Sequence, residues 1–160
     1  MLLQELIKNI TIWDNWVNSY KKYVPQFIEE AKTKDNWQDW DKDVFREYFE
    51  KSNNQCISSL KQGYYTSIEK DKIKRNWSEI APLLKLIAEN QDEPLYEVYN
   101  KVDAIIWKYT KVHRRASTSR LIAGLQPKLL CTIVNQKKLN ELYSFLNKNV
   151  DESLPIQTMN

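Results

Sequence analysis

Glycine is scarce in this chain, where only two of 160 residues are Gly and five are Pro. Sandwiches and barrels need many tight turns built from these residues, so the composition favours helices. Two isolated glycines also cannot form the loops G-x-x-x-x-G-K-[ST] or G-x-G-x-x-G that cradle phosphates. We therefore predict an all-α fold, a compact domain of about eight helices with at most one or two short strands, and no nucleotide hydrolysis.

Histidine and cysteine are as rare as glycine. His113 is the single histidine, which excludes HExxH and two-His zinc sites and leaves little scope for a Ser-His-Asp triad. Cys56 and Cys131 lie far apart and lack a CxxC companion, so we interpret both as small core residues rather than disulfide or zinc ligands. We expect no catalytic residue, no metal and no cofactor.

Long hydrophobic runs are also missing. No stretch of about 18 apolar residues occurs, and the first ten residues, MLLQELIKNI, are too short and too polar for a secretory signal. We expect a cytoplasmic protein without a membrane partner and without disulfides.

Apolar residues recur at helical spacing along most of the chain. A stripe from Trp16 to Ala31 predicts a helix beginning near Asp14, which Pro25 should bend or split. The spacing over 40–49 predicts another helix, and 55–60 suggests one or two turns closed by Gly63 at a C-cap.

The second half offers clearer helix signals. Thr66 and Glu69 match a capping box for a helix that ends near Arg75, and a further stripe covers 77–87. The strongest pattern runs from Leu95 to Tyr109 after Asp92 and Pro94, and we expect this helix to be the central one. We interpret Trp16, Trp77 and Trp107 as core residues because they lie in helical patterns.

Charge is distributed unevenly. The net charge is only +3, but residues 1–100 contain 14 basic and 17 acidic residues, whereas 101–148 contain ten basic residues against Asp103 and Glu141. Such asymmetry between the two parts indicates contact with a polyanion.

The basic segment, Lys108–Lys138, contains most of this excess. Ser117, Thr118 or Ser119 should cap a short helix through Leu125 that Pro127 stops, and 129–134 should be a strand or a buried link. Asn135 should cap the last helix. Lysines neutralise phosphates, arginines can also read guanine, and hydroxyls at a helix N-terminus can donate to phosphate oxygens. The candidate DNA-binding residues are Lys108, Lys111, His113, Arg114, Arg115, Ser117, Ser119, Arg120, Lys128, Lys137 and Lys138.

Aromatic and acidic residues allow other hypotheses about binding and function. Trp37, Tyr64 and Tyr65 lie near loops and are candidates for stacking on a base. The aromatic excess could instead supply anchors for a protein-interaction or assembly module. The acids at Asp39, Asp41 and Asp43 could hold magnesium for a nuclease, although acids at a helix start are more often structural.

Two segments resemble a known family. SSLKQGYYTSIEKDKIKRNWSEIAPLLKLIA at 58–88 and RRASTSRLIAGLQPKLLCTIVNQKKLNELYSFL at 114–146 are similar to the region ahead of the AAA+ GTPase module in McrB-type bacterial restriction proteins. The pattern R-L-I-A-x-x-x-P, followed by an apolar run and a leucine-bearing helix, is its most specific part. The two segments cover less than half of the chain.

The resemblance implies a division of labour. The N-terminal region of such proteins recognises a modified or defined DNA site, a GTPase module in the same polypeptide remodels or translocates, and a partner subunit is the nuclease. We therefore expect residues 1–148 to form a DNA-recognition domain for double-stranded DNA in a phage-defence system. Residues 149–160 would begin a linker to the next domain.

Overall fold

The fold, taken from a computed structural model, is described for residues 3–53, 55–57, 60, 63–130 and 135–150. Every regular element within these ranges is helical and none is a strand, which confirms the all-α prediction. The cysteine-containing run 131–134 and the tail 151–160 lie outside the described residues, as does the strand or link predicted there.

Eight α-helices occur in the described ranges. They are α1 Leu3–Lys8, α2 Asp14–Thr33, α3 Lys42–Phe45, α4 Ser67–Arg75, α5 Trp77–Glu89, α6 Tyr96–Thr110, α7 Arg115–Leu125 and α8 Gln136–Asn149. A 3-10 turn at Trp37–Asp39 precedes α3, and a π-helical turn at Arg46–Glu50 continues it.

Helix α2 is not split at proline. Pro25 lies inside one continuous helix whose buried stripe contains Val24, Phe27 and Ala31. An interior proline costs about 3 kcal/mol, but burying a side chain such as Phe27 gains about 1.5–3 kcal/mol. Several buried side chains on one stripe therefore hold the helix together across the proline.

Two predicted caps are confirmed, and the one predicted at Gly63 is wrong. The Thr66 hydroxyl accepts from the Glu69 amide at 3.3 Å while a Glu69 carboxylate oxygen accepts from the Thr66 amide at 2.7 Å. The Asn135 side chain accepts from the Lys138 amide at 3.1 Å. Gly63 does not cap a helix, because residues 55–57 and 60 are not helical. It has a φ of 77° in a loop, a conformation that glycine adopts without steric cost.

Aromatic rings dominate the core. Trp77 meets Phe45 and Phe49 at centroid distances of 5.3 and 5.6 Å, and its ring lies edge-on to that of Trp40 at 6.1 Å. Such edge-to-face pairs add about 0.5–1.5 kcal/mol each beyond the area that they bury. This cluster accounts for much of the aromatic content, and Trp77 is a core residue as predicted.

The central helix is α7, not α6. Eight of its eleven residues are buried, and it packs against α2, α5, α6 and the π-helical turn. In α6 the buried residues are four, namely Tyr99, Val102, Ile106 and Thr110. The prediction favoured α6 because its apolar pattern is longer, whereas α7 buries polar side chains that a hydrophobic pattern does not detect.

The two terminal helices are peripheral. No side chain that the structure describes in α1 or α8 is buried, and α8 exposes Leu142, Tyr143 and Phe145. Near α1, the exposed apolar residues are Ile7, Ile10, Ile12 and Trp13. Among the described helices, none is both long and apolar enough to cross a membrane.

Candidate nucleic-acid interface

The basic segment divides into three parts in the structure. One part is exposed where α6 ends and α7 begins, the second is buried inside α7, and the third lies beyond α7 and on α8. We call the first part the α6–α7 corner and define it by five exposed residues, Trp107, Lys108, Lys111, His113 and Arg115.

The polar face of α6 leads into this corner. Lys101, Ala104, Lys108 and Lys111 are all exposed and follow one another at spacings of three or four residues, which places them along one side of the helix. Trp107 is 44% exposed and lies beside this line, away from the buried Ile106. The face therefore has three lysines and one indole, although Trp107 was predicted to be a core residue.

Lys108 forms an ion pair at the surface. Its Nζ lies 2.9 Å from both carboxylate oxygens of Glu79 on α5, and the Tyr109 hydroxyl donates to the same carboxylate. The hydrogen bonds from Tyr109 and Lys108 lower the pKa of Glu79, and those to Tyr109 and Glu79 raise the pKa of Lys108. The Lys108 side chain is 54% exposed, so water and salt screen this pair and phosphate can compete for it.

Lys111 adopts an unusual backbone conformation. Its φ and ψ are 58° and 12°, in the left-handed region, and its amide donates to the Trp107 carbonyl at 2.8 Å to end α6. A non-glycine residue costs about 1–2 kcal/mol in this region. Its Nζ lies 5.3 Å from the Trp107 ring centroid. The chain thus presents a cation at a position where glycine would fit with less strain.

Arg114 is engaged within the fold. Its Nε and Nη2 both donate to Glu69 Oε1, at 3.2 and 3.0 Å. Burial raises the pKa of Glu69, but hydrogen bonds from the Thr66 amide and from Arg114 outweigh this effect and lower the pKa overall. Arg114 therefore fastens the start of α7 to the start of α4.

Arg115 is the exposed arginine of the basic segment. It is the first residue of α7 and exposed, while the first turn of this helix has no acidic residue and no side-chain cap. The amide groups of a helix N-terminus favour anions, so this end adds positive potential to that of the side chains. Among the described residues, no carboxylate pairs with Lys111 or Arg115.

Ser117 was predicted to bind phosphate, and this prediction is wrong. Its side chain is fully buried, and its hydroxyl donates to the Gly63 carbonyl at 2.9 Å. The predicted cap at Ser117, Thr118 or Ser119 is also wrong, because α7 begins at Arg115 and all three residues lie inside it. The hydroxyls of Ser117 and Thr118 are used in contacts with other parts of the chain, and Ser119 is half-buried.

Arg120 is likewise not on the surface. It is 2% exposed and donates to the backbone carbonyls of Lys51 and Ser52 at 2.8 and 3.2 Å. Burial lowers its pKa to about 10, so it remains charged at neutral pH. The electrostatic effects of Tyr65, Cys56 and the buried Glu47 partly counteract this lowering of the pKa. Arg120 therefore holds the loop that follows the π-helical turn and cannot reach DNA in this fold.

Cys56 lies beside the buried carboxylate of Glu47. Its amide donates to Glu47 Oε1 at 2.9 Å, and burial, with a smaller effect of Glu47, raises the pKa of its thiol to about 12. The thiol is thus protonated at neutral pH and unsuited to act as a nucleophile. Cys56 is a core residue, as predicted.

The remaining candidate cations are exposed and lie on later parts of the chain. Lys128 follows the far end of α7, a helix of 11 residues that spans about 16 Å from Arg115. Lys137 and Lys138 lie at the start of α8, where Lys138 pairs with Glu141 at 2.9 Å. The structure therefore does not unite the basic segment into one face.

The predicted stacking residues differ in accessibility. Tyr65 is 3% exposed, packs against Phe49 and shares a hydrogen bond with Thr118, so its prediction is wrong. Trp37 is half-buried against Phe45, with Lys74 Nζ 4.7 Å from its ring centroid. Tyr64 is 44% exposed and stays a candidate.

The acidic residues at 39–43 are used locally. Asp41 Oδ1 accepts from the amides of Asp43 and Val44 at 3.0 Å each and caps α3, while Asp39 accepts from the Asn36 side chain. In the part of the chain that the structure describes, no three His, Cys, Asp or Glu side chains are grouped closely enough to hold a metal ion. This geometry does not support the hypothesis of a magnesium site at Asp39, Asp41 and Asp43.

Trp107 is the surface residue that the sequence reasoning missed. A signal was present, because Trp107 falls outside the stripe of Val98, Tyr99, Val102, Ile105 and Ile106 and is followed by Lys108 and Lys111.

No protein-family model, no curated protein and no solved structure matches this chain.

Proposed function

We propose that this chain is a DNA-recognition domain of a McrB-type restriction system and acts by binding rather than by catalysis. The observation that supports this most strongly is the α6–α7 corner, where Lys111 and Arg115 extend from adjoining helix ends without an acidic partner among the described residues. The GTPase module and the nuclease subunit belong to the same proposal and follow from the family resemblance, and the cytoplasmic location is proposed with them.

The role of each residue follows from its surroundings. Lys111 and Lys108 are the phosphate anchors, and Lys108 exchanges Glu79 for a phosphate oxygen. Arg115 neutralises a phosphate at the start of α7. Its guanidinium fork also makes it the candidate for a base contact, since it can hold guanine through two hydrogen bonds. Arg114 is a positioning residue, because both of its observed hydrogen bonds go to Glu69.

A salt titration tests this proposal. Each lysine or arginine that neutralises a phosphate contributes close to one unit to the slope of log K against log salt. Replacing Lys111 and Arg115 together by Ala should lower duplex affinity and flatten the slope by about two units. Lys42→Ala on α3 is the matched control, since Lys42 is exposed between Asp41 and Asp43. Equal slopes for the double variant and the wild type would refute the DNA-binding role of the corner.

A second candidate function is a helical protein-interaction or assembly module. The aromatic excess no longer argues for it, because most of the large rings form the core. The exposed Leu142, Tyr143 and Phe145 on α8 favour it instead, since contiguous exposed apolar residues mark interfaces. Light scattering of the chain alone and with DNA separates the two: self-association without DNA retention at about 50 mM salt would support the module.

A further inference from the structure

We propose that Trp107 is a stacking platform for an unpaired base, so that the α6–α7 corner binds a single-stranded segment of nucleic acid as well as duplex DNA. This inference rests on the proposed DNA-binding function and specifies the form of nucleic acid that the corner receives. It begins from the position of one indole on the polar side of a helix.

The exposure of Trp107 is unusual for its surroundings. Single exposed apolar residues are common and need no special explanation. Trp107, however, is 44% exposed, follows Ala104 on the same face, and has Lys108 and Lys111 beside it. A large ring among cations has the composition of a site for single strands, where aromatic rings stack on bases and cations follow the backbone.

The contacts around the ring are weak enough to be displaced. Lys111 Nζ lies 5.3 Å from the centroid of Trp107, and the His113 ring lies 6.2 Å away with an angle of 33° between the planes. A cation–π contact at an exposed site is weaker than the stacking of a base on an aromatic ring. A base can therefore replace Lys111 over the indole, and the released ammonium group can bind the adjoining phosphate.

The backbone at Lys111 favours the same interpretation. Its left-handed φ of 58° ends α6 at Thr110, about one helical turn after Trp107. Lys111, His113 and Arg115 all follow within eight residues of the indole. Glycine would fulfil this turn with less strain, but it would remove the cation next to the ring. The Lys111 side chain thus serves ligand binding rather than the stability of the fold.

Duplex DNA cannot use this platform in the same way. In a duplex the base faces are covered by their neighbours, and a protein reads only edges and backbone. A ring that stands out from a helix can stack only on a base whose face is free. We therefore expect the contribution of Trp107 to depend on strandedness, whereas that of Arg115 should not.

Fluorescence anisotropy with two labelled ligands tests the inference. The ligands are a single strand of roughly 16 nucleotides and the blunt duplex of the same sequence, both at low salt. Trp107→Ala should weaken single-strand binding roughly tenfold and duplex binding less than about twofold. Trp107→Phe should recover most of the loss, and Arg115→Ala should weaken both ligands by similar factors.

The outcomes separate this inference from the function on which it rests. If duplex binds and responds to Arg115→Ala, but Trp107→Ala affects neither ligand or both equally, the stacking platform is refuted and the DNA-binding function stands. If neither ligand binds at about 50 mM salt, both proposals fall, and a protein partner for the corner becomes the better reading. Circular dichroism and thermal melting check that Trp107→Ala is folded, which its exposed helical position favours.

Discussion

Two neighbouring parts of the basic segment differ in their exposure to solvent. Arg115 is exposed at the first position of α7, whereas Arg120, five residues later, is 2% exposed and bonded to the carbonyls of Lys51 and Ser52. Both are arginines on one helix in a stretch with few acids. Positive charge in a sequence therefore identifies a candidate surface only after the helix face of each residue is known.

The difference has a simple physical origin. A helix that is surrounded on most sides brings polar side chains inside whenever they fall on its inner faces, and each such group must then find a partner. In α7 and at Gln126 directly after it, the partners are loop carbonyls: Gly63 for Ser117, Lys51 and Ser52 for Arg120, and Asn90 and Glu93 for Gln126. The buried part of the segment thus organises two loops, while the corner stays free for an external anion.

The largest expected effect lies on the buried side of this comparison. Arg120→Met keeps much of the side-chain volume but leaves the Lys51 and Ser52 carbonyls without their charged donor. We expect the free energy of unfolding to fall by about 2–4 kcal/mol, measured by urea denaturation. Arg115→Ala on the same helix is the control and should change it by less than about 0.5 kcal/mol. Similar losses for the two variants would break the comparison.

The next effect concerns the boundary between the two parts, the Arg114–Glu69 pair. The folded-state pKa of Glu69 is lowered, so the pair stabilises the fold above the unfolded pKa of about 4.3 and this stabilisation is lost as pH falls through the folded pKa. Glu69→Gln should cost about 1–2 kcal/mol at pH 7 and progressively less towards pH 3. Thermal melting of both proteins across this range measures the difference.

This variant also contains its own control. Glutamine can still accept from the Thr66 amide through its single oxygen, so the capping box is kept, while its NH2 group replaces the oxygen that accepts from Arg114. The variant therefore removes the charge of Glu69 together with the two hydrogen bonds from Arg114. A loss that stays constant between pH 7 and pH 3 would show that the charge of Glu69 does not stabilise the start of α7.

The smallest effect lies at the corner, where stability and binding should move in opposite directions. Lys111→Gly removes the strain of the left-handed backbone, which stabilises the fold, but it also increases the conformational entropy of the unfolded chain, which opposes this gain. We therefore expect the free energy of unfolding to rise by between zero and about 1 kcal/mol. The same variant should weaken DNA binding and lower the salt slope by about one unit. A clear loss of stability would mean that the Lys111 side chain supports the fold.

Much of the fold could be predicted from the sequence. The helices that have a clear apolar stripe, α2, α5 and α6, are present, and the Thr66–Glu69 and Asn135 caps follow from local chemistry. Both depend on interactions over one or two turns, which a sequence displays directly. The helix expected over 55–60 is not present at the described residues 55–57 and 60, where the Gln55 side chain donates to the Tyr48 carbonyl and the Cys56 amide donates to Glu47.

The candidate site was less accessible to sequence reasoning. Ser117 and Arg120 have side chains typical of phosphate binding, and only their tertiary partners, 54 and at least 68 residues away in the chain, show that they are structural. Trp107 could have been recognised, because it lies outside the apolar stripe of α6. Residue type alone thus placed buried residues of α7 on the candidate surface and missed the exposure of Trp107.

The most direct test compares Arg115→Ala and Arg120→Met in one pair of measurements, urea denaturation and duplex affinity over a salt series at a temperature where both variants are folded. We predict that Arg115→Ala keeps its stability and lowers the salt slope by about one unit, whereas Arg120→Met loses stability and keeps the slope of the wild type. An unchanged slope for Arg115→Ala together with a reduced slope for Arg120→Met would contradict the account.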